Sequence, residues 1–250
     1  MSTRNEFNIA LQFLTRLPVS GEVEHSDEAF ARSARFYPAV GLLVGAIAAG
    51  VYFVSSIFFP SILSTVLALL TGVAATGALH EDGLADSFDG LIGGQDRDRT
   101  LEIMRDSSIG TYGILALIFA FALKLTAISE MWGWDAFWSI IIAHAVSRHA
   151  MVEVIGRYDY ARSDSAKFSK PDVSGEDLTY ARLWVIAALV ASALLVGIWA
   201  TLVGAAAMAV VVSGFAQTFV RKIGGYTGDC LGATQQIAEA AFLLGVVACL

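Results

Sequence analysis

The sequence predicts an all-α, polytopic membrane helix bundle of six to seven transmembrane helices, forming a single integral membrane domain over residues 1–250. Three observations lead there. First, 56% of the 250 residues are hydrophobic, against about 45–50% in soluble domains, and the mean hydropathy is +0.64. Second, the apolar residues gather into runs long enough to cross hydrocarbon, which takes roughly 20 helical residues. Third, fourteen of the sixteen Lys and Arg residues fall in the stretch 1–37 and in the connections 80–109, 153–182 and 221–237. The alternate connections, near Pro60, Trp132 and Thr201, hold none. By the positive-inside rule the basic segments face the cytoplasm.

The elements follow in chain order. In residues 1–37, Phe7, Leu11 and Leu14 stand at i, i+4 and i+7, the apolar stripe of a helix. That helix either lies in the membrane interface or packs on the bundle. Six spans are predicted at 38–59, 61–79, 110–129, 134–152, 183–199 and 201–220. The last two form one apolar run from Leu183 to Phe215, expected to fold as a tight hairpin near Trp199–Gly204. A seventh run, 238–250, is short and either crosses by tilting or is re-entrant. The segment 158–182 reads as a polar loop. Two basic residues, Lys124 and Arg148, sit inside spans. Arg148 is costly in hydrocarbon and is expected to face the bundle interior or a functional site. Lys124 is expected to snorkel or to pair inside the bundle.

Several functions are excluded or disfavoured at once. A formal net charge of −7 leaves no basic footprint for nucleic acid. The two cysteines, Cys230 and Cys249, make no disulfide framework. No Gly-x-Ser-x-Gly and no Cys beside a His occurs, so nothing suggests a covalent enzyme intermediate.

Chemistry is concentrated in three polar stretches on the basic side. In "LHEDGLADSFDG" (79–90), Asp82, Asp86 and Asp89 are spaced so that a helix sets them within about 60° of one another. Carboxylates so placed repel unless a cation lies among them. Hard oxygen ligands select Mg²⁺, Ca²⁺ or Mn²⁺; the alternative is a solvated acidic helix end. His80, just ahead, is a candidate contact to substrate or metal. In "LEIMRDSSIGTYG" (101–113), Arg105, Asp106, Ser107 and Ser108 precede a span. There a helix N-terminus with hydroxyls offers an anion site, or Ser107 or Ser108 merely caps the helix. In "RKIGGYTGDCLGATQQIAE" (221–239), Gly224, Gly225, Gly228 and Gly232 surround Asp229 behind two cations. That composition suits phosphate cradling, or else a flexible loop. Asp229 would add a fourth metal-competent carboxylate. Together these features describe phosphoryl or nucleotidyl transfer, which asks a protein for positioning and charge neutralisation.

These three stretches, with "FLTRLPV" (13–19) and "RFYPAVGLLVG" (35–45) ahead of them, resemble the cobalamin synthases, the adenosylcobinamide-GDP ribazoletransferases, in order from about residue 7 to the C-terminus. Two positions depart from the family pattern: Ala78, where a second Gly is usual, and Phe88, where a small residue is usual. The resemblance implies a Mg²⁺-dependent integral enzyme of the bacterial inner membrane. It would join adenosylcobinamide-GDP to α-ribazole or its 5′-phosphate with loss of GMP, in the lower-loop assembly step of cobalamin biosynthesis. On that reading Asp82, Asp86 and Asp89 hold the metal, and Asp229 or an acid of the first cluster accepts the hydroxyl proton. His80, Arg105, Asp106, Ser107, Arg148 and the glycines 224, 225 and 228 contact substrate. The partners implied are the two small-molecule substrates and the lipid bilayer; a homo-oligomer, or docking of other corrinoid-pathway enzymes, is a further expectation. Two rival readings are a CDP-alcohol phosphotransferase-like enzyme, whose motif Asp82-Gly83 only begins, and a cation transporter, disfavoured because the carboxylates lie at one membrane face.

Overall fold

A computed structural model describes residues 2–19, 21–162 and 172–250. Residues 163–171 of the expected polar loop, with Lys167 and Lys170, lie outside the described residues. Helix α1 (Thr3–Leu14) is capped by the Ser2 hydroxyl, which accepts from the Asn5 N–H. Helix α2 (Asp27–Ser33) is capped in the same way by Ser26. A 3₁₀ turn, Ala34–Phe36, leads into α3 (Tyr37–Ser56). Ile9, Ala10, Leu11 and Leu14 are buried, and Glu6 is buried in an ion pair with Arg35 and, at 3.3 Å, with Arg32. The N-terminal helix therefore packs on the bundle, which decides between the two placements its apolar stripe allowed.

Helix α4 (Ser61–Thr76) ends at Gly77 (φ +64°) and Ala78 (φ +59°), both left-handed, and the chain turns by 89° into α5 (Leu79–Gly93). The Ala78 and Gly77 N–H groups donate to the carbonyls of Val73 and Ala74 at 3.0 and 3.3 Å, closing the helix end. A left-handed Ala costs about 1–2 kcal/mol, so the bend persists against a local strain that a glycine would remove. Helices α6 (Arg97–Ile103), α7 (Thr111–Ser129), α8 (Trp134–Arg157), α9 (Gly175–Leu195), α10 (Ile198–Ile223) and α11 (Gly228–Val247) follow.

Five segments are long and apolar enough to cross a membrane: Asp27–Ser56, α7, α9, α10 and α11. The bent pair α4–α5 passes only when its members are taken together. The chain is thus a multi-pass helical bundle. Helices α8 and α11 form its centre, with 17 of 24 and 15 of 20 residues buried, whereas α10 buries only 6 of 26. Close crossings hold the centre. A side chain on Gly41 of α3 would strike the His144 carbonyl, and one on Gly45 would lie 2.8 Å from the Ile141 Cα. Small residues at such points let membrane helices meet backbone to backbone.

Three expectations need correction. The hairpin between α9 and α10 turns at Val196–Gly197, earlier than Trp199–Gly204, because Gly197 adopts φ +136°. Much of the stretch 80–109, expected as a loop, is helical in α5 and α6. Residues 228–237, also expected in a loop, form the first half of α11, and 238–250 supply only its second half. The polarity of Gln235, Gln236 and Glu239 disguised this helix. All three are buried. Lys124 Nζ donates to Gln236 Oε1 (2.7 Å) and to Glu239 Oε1 (3.2 Å), and Gln235 Nε2 to Glu239 Oε2 (2.6 Å). A central helix that satisfies polar partners from its neighbours need not be apolar. Lys124 accordingly pairs and does not snorkel.

The motif segments gather at one end of the bundle. Arg97 Nε donates to the Ile223 carbonyl (3.1 Å), and its terminal nitrogen to the Ala161 carbonyl (2.7 Å). An isolated parallel bridge joins Tyr160 to Tyr226. Helix α1 caps the same end, with the Arg16 N–H on the Ala75 carbonyl at 2.7 Å.

Candidate active site

Helix α5, turned away from α4, lies across this end of the bundle and crosses the first turn of α11. The crossing is possible because glycines meet there: a Cβ on Gly83 would stand 2.8 Å from the Asp229 carbonyl oxygen and 3.1 Å from the Gly232 Cα. The backbones therefore touch. Asp82 from α5 and Asp229 from α11 become walls of one cavity of about 250 Å³. His80, Gly228, Tyr160, Arg162 and Tyr226 line the same cavity, and its far side is apolar.

The polar half has more negative than positive charge. Arg162 donates to Asp229 Oδ2 at 2.7 Å, and the Thr227 hydroxyl, which also caps α11, donates to the same oxygen at 3.2 Å. Asp82 is exposed to the cavity, and no hydrogen bond or ion pair of its carboxylate occurs among the described residues. Asp86, one turn further along α5 and outside the spans, is half-buried. Burial pushes its carboxyl up to about 7, reinforced by the charges of Asp229, Asp82 and Asp89 and opposed by Arg162. A cation among these groups would relieve the repulsion. The three carboxylates Asp82, Asp86 and Asp229 have one neighbouring guanidinium, and their hard oxygens suit a divalent cation that takes one or two carboxylates and completes its shell with water and phosphate. Among the described residues no three His, Cys, Asp or Glu side chains converge as a ready-made metal cage.

The expected site residues divide accordingly. Helix α5 does carry Asp82, Asp86 and Asp89 at helical spacing, but Asp89 is diverted. It is buried, and its two oxygens accept from the Gly110 N–H (2.6 Å) and the Gly113 N–H (2.9 Å). It caps the N-terminus of α7 from another helix, where a negative charge is favoured, which gives it a structural role beside any part in holding a metal. Ser107 and Ser108 do not cap α7. Arg105, Asp106 and Ser107 are exposed and line no part of the cavity. Asp106 accepts from the Ser108 N–H at 2.9 Å, which holds its carboxyl below the usual range. Arg105 stays within electrostatic reach of Tyr160 on the cavity wall.

Gly224 ends α10 at φ +79°, and Gly225 packs against the Asp159 carbonyl where a side chain would clash. These two seat Tyr226 rather than cradle a phosphate; of the three glycines only Gly228 reaches the cavity. Arg148 faces the bundle interior, one of the two places expected for it, and does not line the cavity. It is buried, donates to the His144 carbonyl at 3.0 Å, and lies in a polar void of about 10 Å³ with Lys124, Glu239 and Gln236. His80 borders both that void and the large cavity. Its Nε2 is buried without a partner among the described residues.

Sequence reasoning missed Arg162, Tyr160, Tyr226 and the apolar wall. Arg162 stood in a loop counted only for its charge. The strings containing Phe13 and Tyr37 had been noted, but only as marks of resemblance.

Comparison with known proteins identifies the family. The model of a family described as cobalamin-5-phosphate synthase matches residues 6–247. A protein of Shewanella amazonensis named adenosylcobinamide-GDP ribazoletransferase is 40% identical over 245 residues, 95% of this chain and 93% of its own. Proteins of the same name from Shewanella baltica and Shewanella woodyi are 38% and 39% identical, covering 96% and 95% of this chain and 94% and 93% of theirs. No solved structure matches. The chain belongs to the cobalamin-5-phosphate synthase family.

Proposed function

We propose that the chain is an adenosylcobinamide-GDP ribazoletransferase. It joins adenosylcobinamide-GDP to α-ribazole, or to α-ribazole 5′-phosphate, to give adenosylcobalamin or its 5′-phosphate and GMP. The observation that carries the reading is the cavity that Asp82 and Asp229 line together beside the Gly83–Gly232 contact, with Arg162 bonded to Asp229. The ribazole hydroxyl oxygen bonds to the cobinamide-linked phosphorus. The bond from that phosphorus to the bridging oxygen breaks, and GMP departs with that oxygen.

Arg162 is suited to bind the diphosphate. As it turns to the substrate it releases Asp229, which then accepts the hydroxyl proton. Asp82 and Asp86 are the residues that would hold Mg²⁺, which supplies neutralisation of the diphosphate and of the leaving phosphate. Arg105, which lies within electrostatic reach of Tyr160 on the cavity wall, adds positive potential for an anionic substrate. The concentration of Lys and Arg at this end supports a cytoplasmic orientation for the site, and the family resemblance supports the bacterial inner membrane.

The test is purified protein in lipid with adenosylcobinamide-GDP, α-ribazole and Mg²⁺, assayed for GMP and cobalamin. Release of GMP that requires both organic substrates supports the assignment. A folded protein that releases none, with any divalent metal, overturns it.

A further inference from the structure

The cavity has two halves of opposite character, and the catalytic reading uses only one. Opposite Asp82, Asp229 and Arg162 stand Phe13, Phe30, Tyr37, Met151 and Ile155. Phe13 is held between two rings: it stacks on Tyr37 with centroids 5.9 Å apart at 26°, and meets Phe30 edge-on at 5.1 Å and 88°. It nevertheless remains exposed. An exposed ring fixed by two others beside a reactive pair is a rigid stacking surface.

We infer that this aromatic wall, formed by α1, α2 and α3, is the seat for the flat base of the acceptor nucleoside; the inference rests on the transferase reading above. Two aromatic bases take part in that reaction, the apolar-edged base of ribazole and the guanine of the donor. The wall discriminates between them. Apart from the Tyr37 hydroxyl, the wall consists of phenyl, thioether and aliphatic groups, so most of the donors and acceptors along a guanine edge would be stranded there at a cost. A benzimidazole-type base has no such edge.

Size points the same way. A cavity of about 250 Å³ falls below the roughly 300–1,000 Å³ common for ligand pockets. It is too small for the corrinoid ring, which therefore stays outside it. Tyr226 and His80 border the space, and their Oη and Nε2 atoms are buried without partners among the described residues.

The experiment uses the full chain in lipid and varies each substrate separately. In Phe13→Ala and Phe13→Leu, KM for α-ribazole is expected to rise about tenfold, while KM for adenosylcobinamide-GDP stays within twofold. Phe13→Leu keeps apolar volume and removes only the ring, and thermal unfolding of both variants guards against a folding defect. A rise confined to adenosylcobinamide-GDP would give the wall to guanine and overturn the inference, as would no change in either KM. Calorimetric titration with α-ribazole alone separates this inference from the transferase reading. Binding that Phe13→Leu weakens supports the seat even in a protein that does not turn over. Turnover with an unaltered ribazole KM overturns the seat and leaves the transferase standing.

Discussion

Two regions of this protein concentrate charge, and they do opposite things with it. Inside the bundle, Lys124, Glu239, His144 and Arg148 close on one another around a void of about 10 Å³, and Gln235 and Gln236 fill the remaining bonds. At the end of the bundle, Asp82 and Asp229 line a cavity of about 250 Å³ in which Arg162 pairs with Asp229 alone, and Asp86 lies one turn further along α5. The inner cluster is shut; the outer one is open. Charge that finds its partners within the chain is architecture, whereas charge left over is available to a ligand.

The largest test of this contrast removes a partner from the inner cluster. Lys124→Met leaves Glu239 buried without its ammonium, and breaking a buried pair costs about 3–5 kcal/mol. Thermal unfolding in lipid should show a fall in Tm of about 10 °C or more. The double variant Lys124→Met/Glu239→Gln should recover much of it. An unchanged Tm in the single variant would make the inner cluster something other than architecture.

The outer cluster predicts the reverse pattern. Asp82→Asn should lower GMP release by about a hundredfold or more, equivalent to about 2.7 kcal/mol on the barrier, with Tm preserved or raised as repulsion on α5 is relieved. Full activity in that variant would remove Asp82 from the chemistry.

A smaller effect comes from Asp86. Its folded pKa, about 7, lies above the ordinary carboxyl value, so the folded chain retains a proton that the unfolded chain gives up. The stability this confers is present at acid pH and is lost as pH rises through 7. A divalent cation would take the place of the proton. Mg²⁺ should therefore raise Tm by several degrees at pH 8 and by little at pH 5; an equal rise at both would place the cation elsewhere.

The smallest effect tests the support under the outer cluster. Ala78→Gly relieves a left-handed alanine worth about 1–2 kcal/mol against an entropic cost of about 0.4–1 kcal/mol in the unfolded chain. A rise of about 2 °C in Tm is expected, and a fall would show that Ala78 is not strained.

What was legible in the sequence follows the same division. Spans that face lipid, such as α7, α9 and α10, could be read because every exposed position must be apolar. Helix α11 could not, since its partners are other helices and its Gln and Glu residues look like a loop until Lys124 is brought to them from 112 residues away. The acidic face of α5 was visible in the spacing of Asp82, Asp86 and Asp89, because helical period fixes which side chains share a face. The fate of each acid was not. Asp89 is decided by the unfilled N–H groups of α7, and no local pattern around residue 89 announces a helix end 21 residues on. Arg162 was hidden for the same reason: its partner Asp229 lies 67 residues away.

The contact of Gly83 with Gly232 bears on how such an enzyme could change its diet. Because main chain meets main chain there, the spacing between Asp82 and Asp229, the acids proposed to react, is set by backbone and not by the side chains of the cavity wall. Phe13, Phe30 and Met151 come from α1, α2 and α8, elements that take no part in that contact. Mutation can reshape the pocket around a different lower base while the reacting groups stay where they are, so specificity and catalysis are free to evolve separately.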